Sequence, residues 1–224
     1  MKKIVIFGNG QIADIIHNYF VNDSDYEVVA FCVDHKFAKR KHHLGKPLVS
    51  LSKLKTTYPP QRYLMHIALS YSGINEKRKQ KFIEIKNMGY SFANFISSKS
   101  NIPKNLIVGK NTVILENQSI QPFVKILDNV MVWSGSVIGH HSIIKSHVWI
   151  TSGANIGGNC NIGEKCFLGL NCTVGNMVKI GKNCFIGANS LVTKDLSHNK
   201  VCIKSDTEIF KLNSEDFKRL TNFK

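Results

Sequence analysis

The stretch Ile150-Thr-Ser-Gly-Ala-Asn-Ile156-Gly-Gly-Asn-Cys-Asn-Ile162-Gly-Glu-Lys-Cys-Phe-Leu168 sets a branched aliphatic residue at every sixth position. The same phase runs without a slip back through Ile144, Ile138, Val132, Ile126, Ile120 and Ile114 to Val108, and forward through Val174, Ile180 and Ile186 to Val192. Four residues after nearly every aliphatic stands a small or modest one, such as Thr112, Ser136, Ser142, Ala154, Cys160, Cys166, Cys172, Cys184 or Leu196; Gln118, near the start of the repeat, is the long polar exception. A fixed short period means stacked units, each burying its apolar face only against its neighbours. With three faces per turn, coils of about 18 residues stack roughly five deep, over about 24 Å at the ~4.8 Å spacing of paired strands. This is a parallel β-helix, a prism with aliphatics inside and glycine or asparagine at its corners. An amphipathic helix does not fit, because a six-residue period drifts against 3.6 and β-branched residues abound.

The prism also disposes of the cysteines. Cys160, Cys166 and Cys172 resemble a ligand series, but each occupies the small interior position of its hexad, so packing accounts for them and neither zinc nor disulfides are implied. The chain of 224 residues has room for two modest domains and carries a net charge of +15. That charge suits anionic partners or a lysine-rich solvated surface, and no basic run with interleaved aromatics marks a nucleic-acid reader. With the apolar run after Met1 too short for a signal peptide and no membrane-length stretch, a cytoplasmic protein is expected.

Ahead of the repeat, Lys3 to Phe7 reads as a buried strand. Gly8-Asn9-Gly10-Gln11-Ile12-Ala13 leads into a helix through Asp14 to Phe20, and a second strand, Glu27 to Val33, ends at Asp34. A glycine turn between strand and helix, with an acid about 20 residues on, outlines a mononucleotide-binding unit. A third strand is expected over Tyr63 to Leu69 and a helix over Asn75 to Lys86, with His66 a packed or edge residue and not a ligand. Such a domain of about 95 residues is half a dinucleotide fold, so it suits one nucleotide-sugar better than NAD. A hydride-transferring enzyme is therefore disfavoured.

Within the prism, Gly139-His140-His141-Ser142 is the cluster of reactive side chains. His140 and His141 face outward, where the fold does not need them, and an outward imidazole suits general base chemistry. A zinc hydratase on the same prism needs three converging histidines, which the spacings of His140, His141 and His147 do not offer.

The whole chain, a small G-x-G-x-x-A domain followed by hexapeptide coils, resembles the bacterial sugar acetyltransferases of the sialic acid O-acetyltransferase and UDP-4-amino-sugar or GDP-perosamine N-acetyltransferase type. Val137 to Ile144 is similar to that family's V-I-E-H-[ED]-x-x-I segment, and Cys166 to Asn171 and Phe185 to Ala188 to segments lining acetyl-CoA. The resemblance implies an α/β Rossmann-like domain at 1–97 that holds a nucleotide-linked sugar, a left-handed parallel β-helix at 98–197, and a tail with a short helix at 198–224. It implies a homotrimer with acetyl-CoA in grooves between prisms and no metal. His140 would be the general base with His141 beside it. Gly10, Gln11, Ile12, Asp34 and His35 would grip the nucleotide-sugar. Trp149, Leu170, Gly187, Ala188 and Lys194 would meet acetyl-CoA. The expected activity is N-acetylation of an amino sugar for a surface glycan; the alternatives are O-acetylation of a sugar hydroxyl and a non-catalytic sugar-nucleotide-binding module.

The chain departs from that pattern in places. His141 stands where many members carry an acid that raises the basicity of the histidine, and Gly139 replaces the preceding acid. A carboxylate orienting His140 would therefore come from elsewhere, with Asp128 and Glu116 as candidates. Trp149 stands where some relatives have a histidine, and the usual G-x-P-A close is absent. The tail instead reads as a helix over Glu215 to Leu220, capped by Asn213 or Ser214 and expected to lie over the open end of the prism.

Overall fold

The computed structural model describes residues 1–221. Strand β1 (Lys2–Phe7) is the centre of the N-terminal sheet, and its alternate residues are buried on both sides, as a parallel strand covered by helices requires. Ile4 and Ile6 pack with Ala13, Ile16 and Phe20 of helix α1 (Gln11–Asn22). Val5 and Phe7 face helix α2 (Leu51–Thr57) and helix α3 (Glu76–Asn87) through Leu54, Phe82 and Ile85. Strand β2 (Tyr26–Val33) pairs with β1 on one side, and strand β5 (Leu64–Ile67) pairs with it on the other. The sheet is completed by strand β3 (His42–His43) and strand β4 (Lys46–Ser50), in the order β3-β4-β2-β1-β5. Only the β3–β4 pair is antiparallel; the order reverses at β1, so a crevice opens beyond the carboxyl ends of β1, β2 and β5.

The remainder is a three-sided stack of two-residue parallel strands in sheets of five, five and seven. This arrangement fits the left-handed β-helix of hexapeptide proteins. The interior aliphatics from Ile114 to Val192 form one continuous buried cluster. Each hexad carries one residue at positive φ, from Asn111 to Asn189, and Gly135 and Gly153 take that place in two of them. Asparagine and glycine dominate there because both tolerate the left-handed conformation.

Three features of the prism differ from the expectation. It begins earlier: strand β6 (Phe95–Ile96) already pairs with Val113–Ile114, and Asn101 bridges to Ser119, so Ile96 and Ile102 extend the hexad phase upstream of Val108. The last coil is two residues short, with Leu196 bridged to Ile180 and Val201 paired with Phe185. Leu196 thus takes an aliphatic interior place instead of the small one assigned from spacing. Thirdly, the small positions do more than fill corners. The Oγ of Ser142 donates to the carbonyl of Gly157, fifteen residues on, and Thr112 to Leu127, Gln118 to Trp133, Cys160 to Gly175 and Cys166 to Gly181 repeat the bond. Gln118 follows the same rule with a longer arm. The cysteines are free and mostly buried, and burial pushes the Cys166 and Cys172 thiols up to about 12.

The N-terminal unit docks on the seven-stranded face, whose outward residues Phe95, Val113, Met131, Trp149 and Phe167 are all buried. Helix α3 clamps the neighbouring corner through Arg78. Its guanidinium, 1% exposed, donates to the carbonyls of Asn129, His147 and Val148 and to the side-chain oxygens of Asn75 and Asn129. Burial lowers the Arg78 pKa to about 9, which leaves it charged at neutral pH. Ion pairs Lys79–Glu164 and Lys165–Glu76 flank it. His66 is packed as expected, donating from Nδ1 to the carbonyl of Ala93.

In the tail, helix α4 (Ser214–Thr221) is capped by Asn213, whose Oδ1 accepts from the Asp216 N–H at 3.0 Å. No residue of α4 is buried, and Val201 and Ile203 at the prism's end stay exposed. The tail is therefore no lid over that end within the chain: its apolar residues, Ile209 above all, remain in solvent.

Candidate functional site

His140 and His141 occupy the corner that follows the strand Val137–Ile138. His141 takes the left-handed place of its hexad at φ 59°, which turns its ring back towards its neighbour. The two Nδ1 atoms lie 3.1 Å apart, and the His141 ring stacks on Phe123 at 4.7 Å. Gln121 fixes the backbone by accepting the His140 N–H at 2.9 Å. On its other edge the His140 imidazole rests on Gly158, one coil further on. A Cβ at Gly158 would stand 2.7 Å from His140 Nε2 and 2.9 Å from Cε1. Beside the ring lies a cavity of about 500 Å³ floored by Gly139, Gly157, Gly158 and Gly175 and walled by Asn155, Thr173 and Asn176. This glycine lining leaves the backbone open to a thin extended ligand.

Neither proposed carboxylate reaches His140. Asp128 accepts from the Lys110 N–H. Glu116 is bound by the Tyr19 and Ser134 hydroxyls, which outweigh its burial and hold its pKa down. His141 is the polar partner of the His140 ring instead.

The residues expected at acetyl-CoA fall into separate groups. Lys194 continues the His140 corner three coils on, and it is exposed. Leu170, 53% exposed, and Ala188 stack with the buried Gly187 at the opposite edge of the same face, before the strands Thr173–Val174 and Leu191–Val192. One chain does not bring them to His140. Trp149 belongs to neither edge. It is 2% exposed, lies under Tyr71 and the Arg78 guanidinium, and forms the floor of the domain contact. Its expected role at the coenzyme is thereby corrected: the outward position it occupies is the one the N-terminal unit covers.

The crevice of the N-terminal unit has a volume of about 600 Å³, and Gly8, Gly10, Gln11, Ile12, Asp34, Lys36, Lys77 and Lys81 line it. Gly8 has φ 133° and a Cβ there would meet the Ala68 carbonyl at 2.6 Å, whereas a Cβ on Gly10 would meet nothing within 4 Å. The first glycine makes the turn and the second leaves open space. The Asp34 carboxylate is bound at 2.6 Å by Lys81, which also holds Glu84. Burial opposes the charge on Lys81, but the two carboxylates prevail and raise its pKa. His35 sits in the exposed 3-10 turn His35–Phe37 beside the crevice and does not line it. The lysines of α3 were missed in the sequence, since only the fold turns that helix edge towards the glycine turn. Among the described residues no group of three or more His, Cys, Asp or Glu side chains is placed to hold a metal, and no helix is long and apolar enough to cross a membrane.

A family model described as bacterial transferase hexapeptide (six repeats) matches residues 159–194, so the coils below His140 carry that repeat. No curated protein matches the chain. Solved structures share both parts of the fold. The acetyltransferase domain of PglB from Neisseria gonorrhoeae is 19% identical over 90% of this chain and 96% of that one, with a TM-score of 0.80; that domain has also been solved in complex with acetyl coenzyme A. PerB from Caulobacter crescentus, solved with CoA and GDP-perosamine, is 20% identical over 90% and 93% of the two chains at a TM-score of 0.76. WeeI from Acinetobacter baumannii gives 18%, 90%, 96% and 0.67.

Proposed function

We propose that the protein is an acetyl-CoA-dependent acetyltransferase that acts on the amino group of a nucleotide-linked sugar, in the cytoplasm, for a surface glycan. The observation that carries this reading is the His140 imidazole, oriented at Nδ1 by His141 and laid over Gly158 at a glycine-floored cavity. The similar structures, solved with acetyl coenzyme A or with CoA and GDP-perosamine, support it. The N-terminal crevice is read as a Rossmann-like nucleotide site, with Gly10, Gln11, Ile12 and Asp34 on the ligand and His35 at its margin.

With its Nδ1–H donated to His141, His140 keeps a lone pair on Nε2. Bound acetyl-CoA supplies the activated acyl carbon. Nε2 takes the proton that the sugar nitrogen sheds as it bonds that carbon, and returns it to the sulfur as the carbon–sulfur bond breaks. Backbone N–H groups at the coil corners stabilise the charge that gathers on the acyl oxygen. Leu170, Ala188 and Lys194 serve the coenzyme when two prisms lie side by side, as in a homotrimer, because the edge with Leu170 and Ala188 then faces a neighbour's His140 corner.

The test is release of free thiol from acetyl-CoA with a panel of UDP-, GDP- and dTDP-linked amino sugars. Activity is expected with at least one, and His140→Ala should lose about a hundredfold or more. Full activity in His140→Ala would remove the assigned base. A product that gains an acetyl mass and loses it in hydroxylamine would be an ester, and would move the reading to O-acetylation.

A further inference from the structure

We propose that Arg40 is a phosphate-binding residue of the crevice, held ready at the glycine turn by a relay through His43 to Asp14. The inference rests on the reading of the crevice as a nucleotide site. Arg40 Nη2 lies 2.8 Å from His43 Nδ1, and His43 Nε2 lies 2.6 Å from Asp14 Oδ1. A guanidinium only donates and a carboxylate only accepts, so His43 is the neutral tautomer with its proton on Nε2. It accepts from Arg40 and donates to Asp14. The ring has no freedom to leave this arrangement: its side chain is 5% exposed and meets Phe31 edge-on at 4.6 Å.

The far end of the relay is loose by comparison. Arg40 Nη2 is 3.5 Å from the carbonyl of Asn9, a distance at which the contact contributes little. Arg40 itself is exposed, and Asn9 lines the crevice between Gly8 and Gly10. The guanidinium thus stands at the lip of the turn with donors to spare.

Its surroundings select an anion. Helix α1 starts at this turn, and Gly10 as its N-cap offers no side-chain acceptor to the first N–H groups. Lys36 and Lys77 line the same crevice, and Lys77 has no ion pair among the described residues. Asp14, in the first turn of α1, keeps its charge beside the neutral His43, but the bond holds its carboxylate at His43 and it does not line the crevice. An arginine fork beside an open helix N-terminus matches the paired non-bridging oxygens of a phosphoanhydride. The ligand class is therefore a nucleoside diphosphate or its sugar ester, gripped at the phosphates by Arg40.

Calorimetry of the full chain with GDP, UDP, dTDP, their nucleosides and inorganic phosphate tests the assignment. Arg40→Ala should weaken at least one diphosphate tenfold or more, leave the nucleoside unchanged and flatten the dependence of diphosphate affinity on salt. Arg40→Lys should recover the salt dependence but only part of the affinity. If the wild-type chain binds a diphosphate and Arg40→Ala binds it as tightly with the same salt slope, Arg40 has no such role and the crevice reading stands. If none of the three diphosphates binds the wild-type chain, both readings fall. Arg40→Ala also leaves Nδ1 of the buried His43 without its donor, so unchanged nucleoside binding in that variant is the check that the fold is kept.

Discussion

Gly158 is the residue on which the His140 ring rests, and its missing side chain is as much a part of the site as the imidazole. A methyl there would stand inside contact distance of three ring atoms, and the ring must turn away to admit it. Gly158→Ala should lower kcat tenfold or more while the melting temperature moves by only a few degrees, and unchanged kcat would show that the ring's place does not matter. His141 acts through His140. We expect His141→Ala to lower kcat about ten- to a hundredfold with KM for acetyl-CoA little changed, and His141→Glu to restore most of it, since a carboxylate also accepts from Nδ1. Equal loss in both variants would assign His141 a structural role alone. The sequence made His140 and His141 legible because they were outward groups the hexads did not need. It hid Gly158, one glycine among many, whose importance comes from a neighbour 18 residues away.

At the scale of elements, the repeat announced itself through identity of residue type at fixed spacing, while the bonds that close its corners did not. Small residues looked like space fillers; their hydroxyls, thiols and the Gln118 amide prove to satisfy carbonyls one coil on. Strands β3 and β4 and helix α2 were not legible, since the lysine-rich run before them shows no clean period. Trp149 was misplaced for a reason the sequence did contain: every eighteenth residue from Phe95 through Val113, Met131, Trp149, Phe167 and Phe185 is apolar, the mark of a covered face. Helix α3 clamps the corner beside that face through Arg78. Arg78→Leu leaves the carbonyls of Asn129, His147 and Val148 unpaired and should destabilise the chain by about 3 kcal/mol or more in thermal or urea unfolding. The same contact carries a pH dependence. Burial lowers the pKa of His66 and of His147 to about 4, with Arg78 adding to the effect at both. Both are neutral when folded, and the unfolded chain binds more protons below about 6.5, so stability is full above that pH and falls towards pH 4. A melting temperature flat between pH 7 and 4 would contradict this.

The whole molecule poses a question of geometry that one chain leaves open. His140 and Lys194 stand at one edge of a prism face, Leu170 and Ala188 at the other, and the third face is taken by the N-terminal unit. If each site is shared, with the His140 corner of one prism facing the Leu170 edge of the next, the interface is heterologous and closes into a ring. Two variants that are each inactive then complement one another. His140→Ala removes the proposed base, and Ala188→Trp fills the edge proposed for the coenzyme without touching the interior, since Ala188 is exposed. Dissociated, mixed in equal amounts and reassembled, they should regain roughly a quarter of wild-type activity, the share of interfaces that draw an intact edge from each side. Sites contained within one chain would give none, because every chain in the mixture carries a lesion. Activity on mixing therefore distinguishes a shared site from a self-contained one, even where sedimentation reports the same trimer for both.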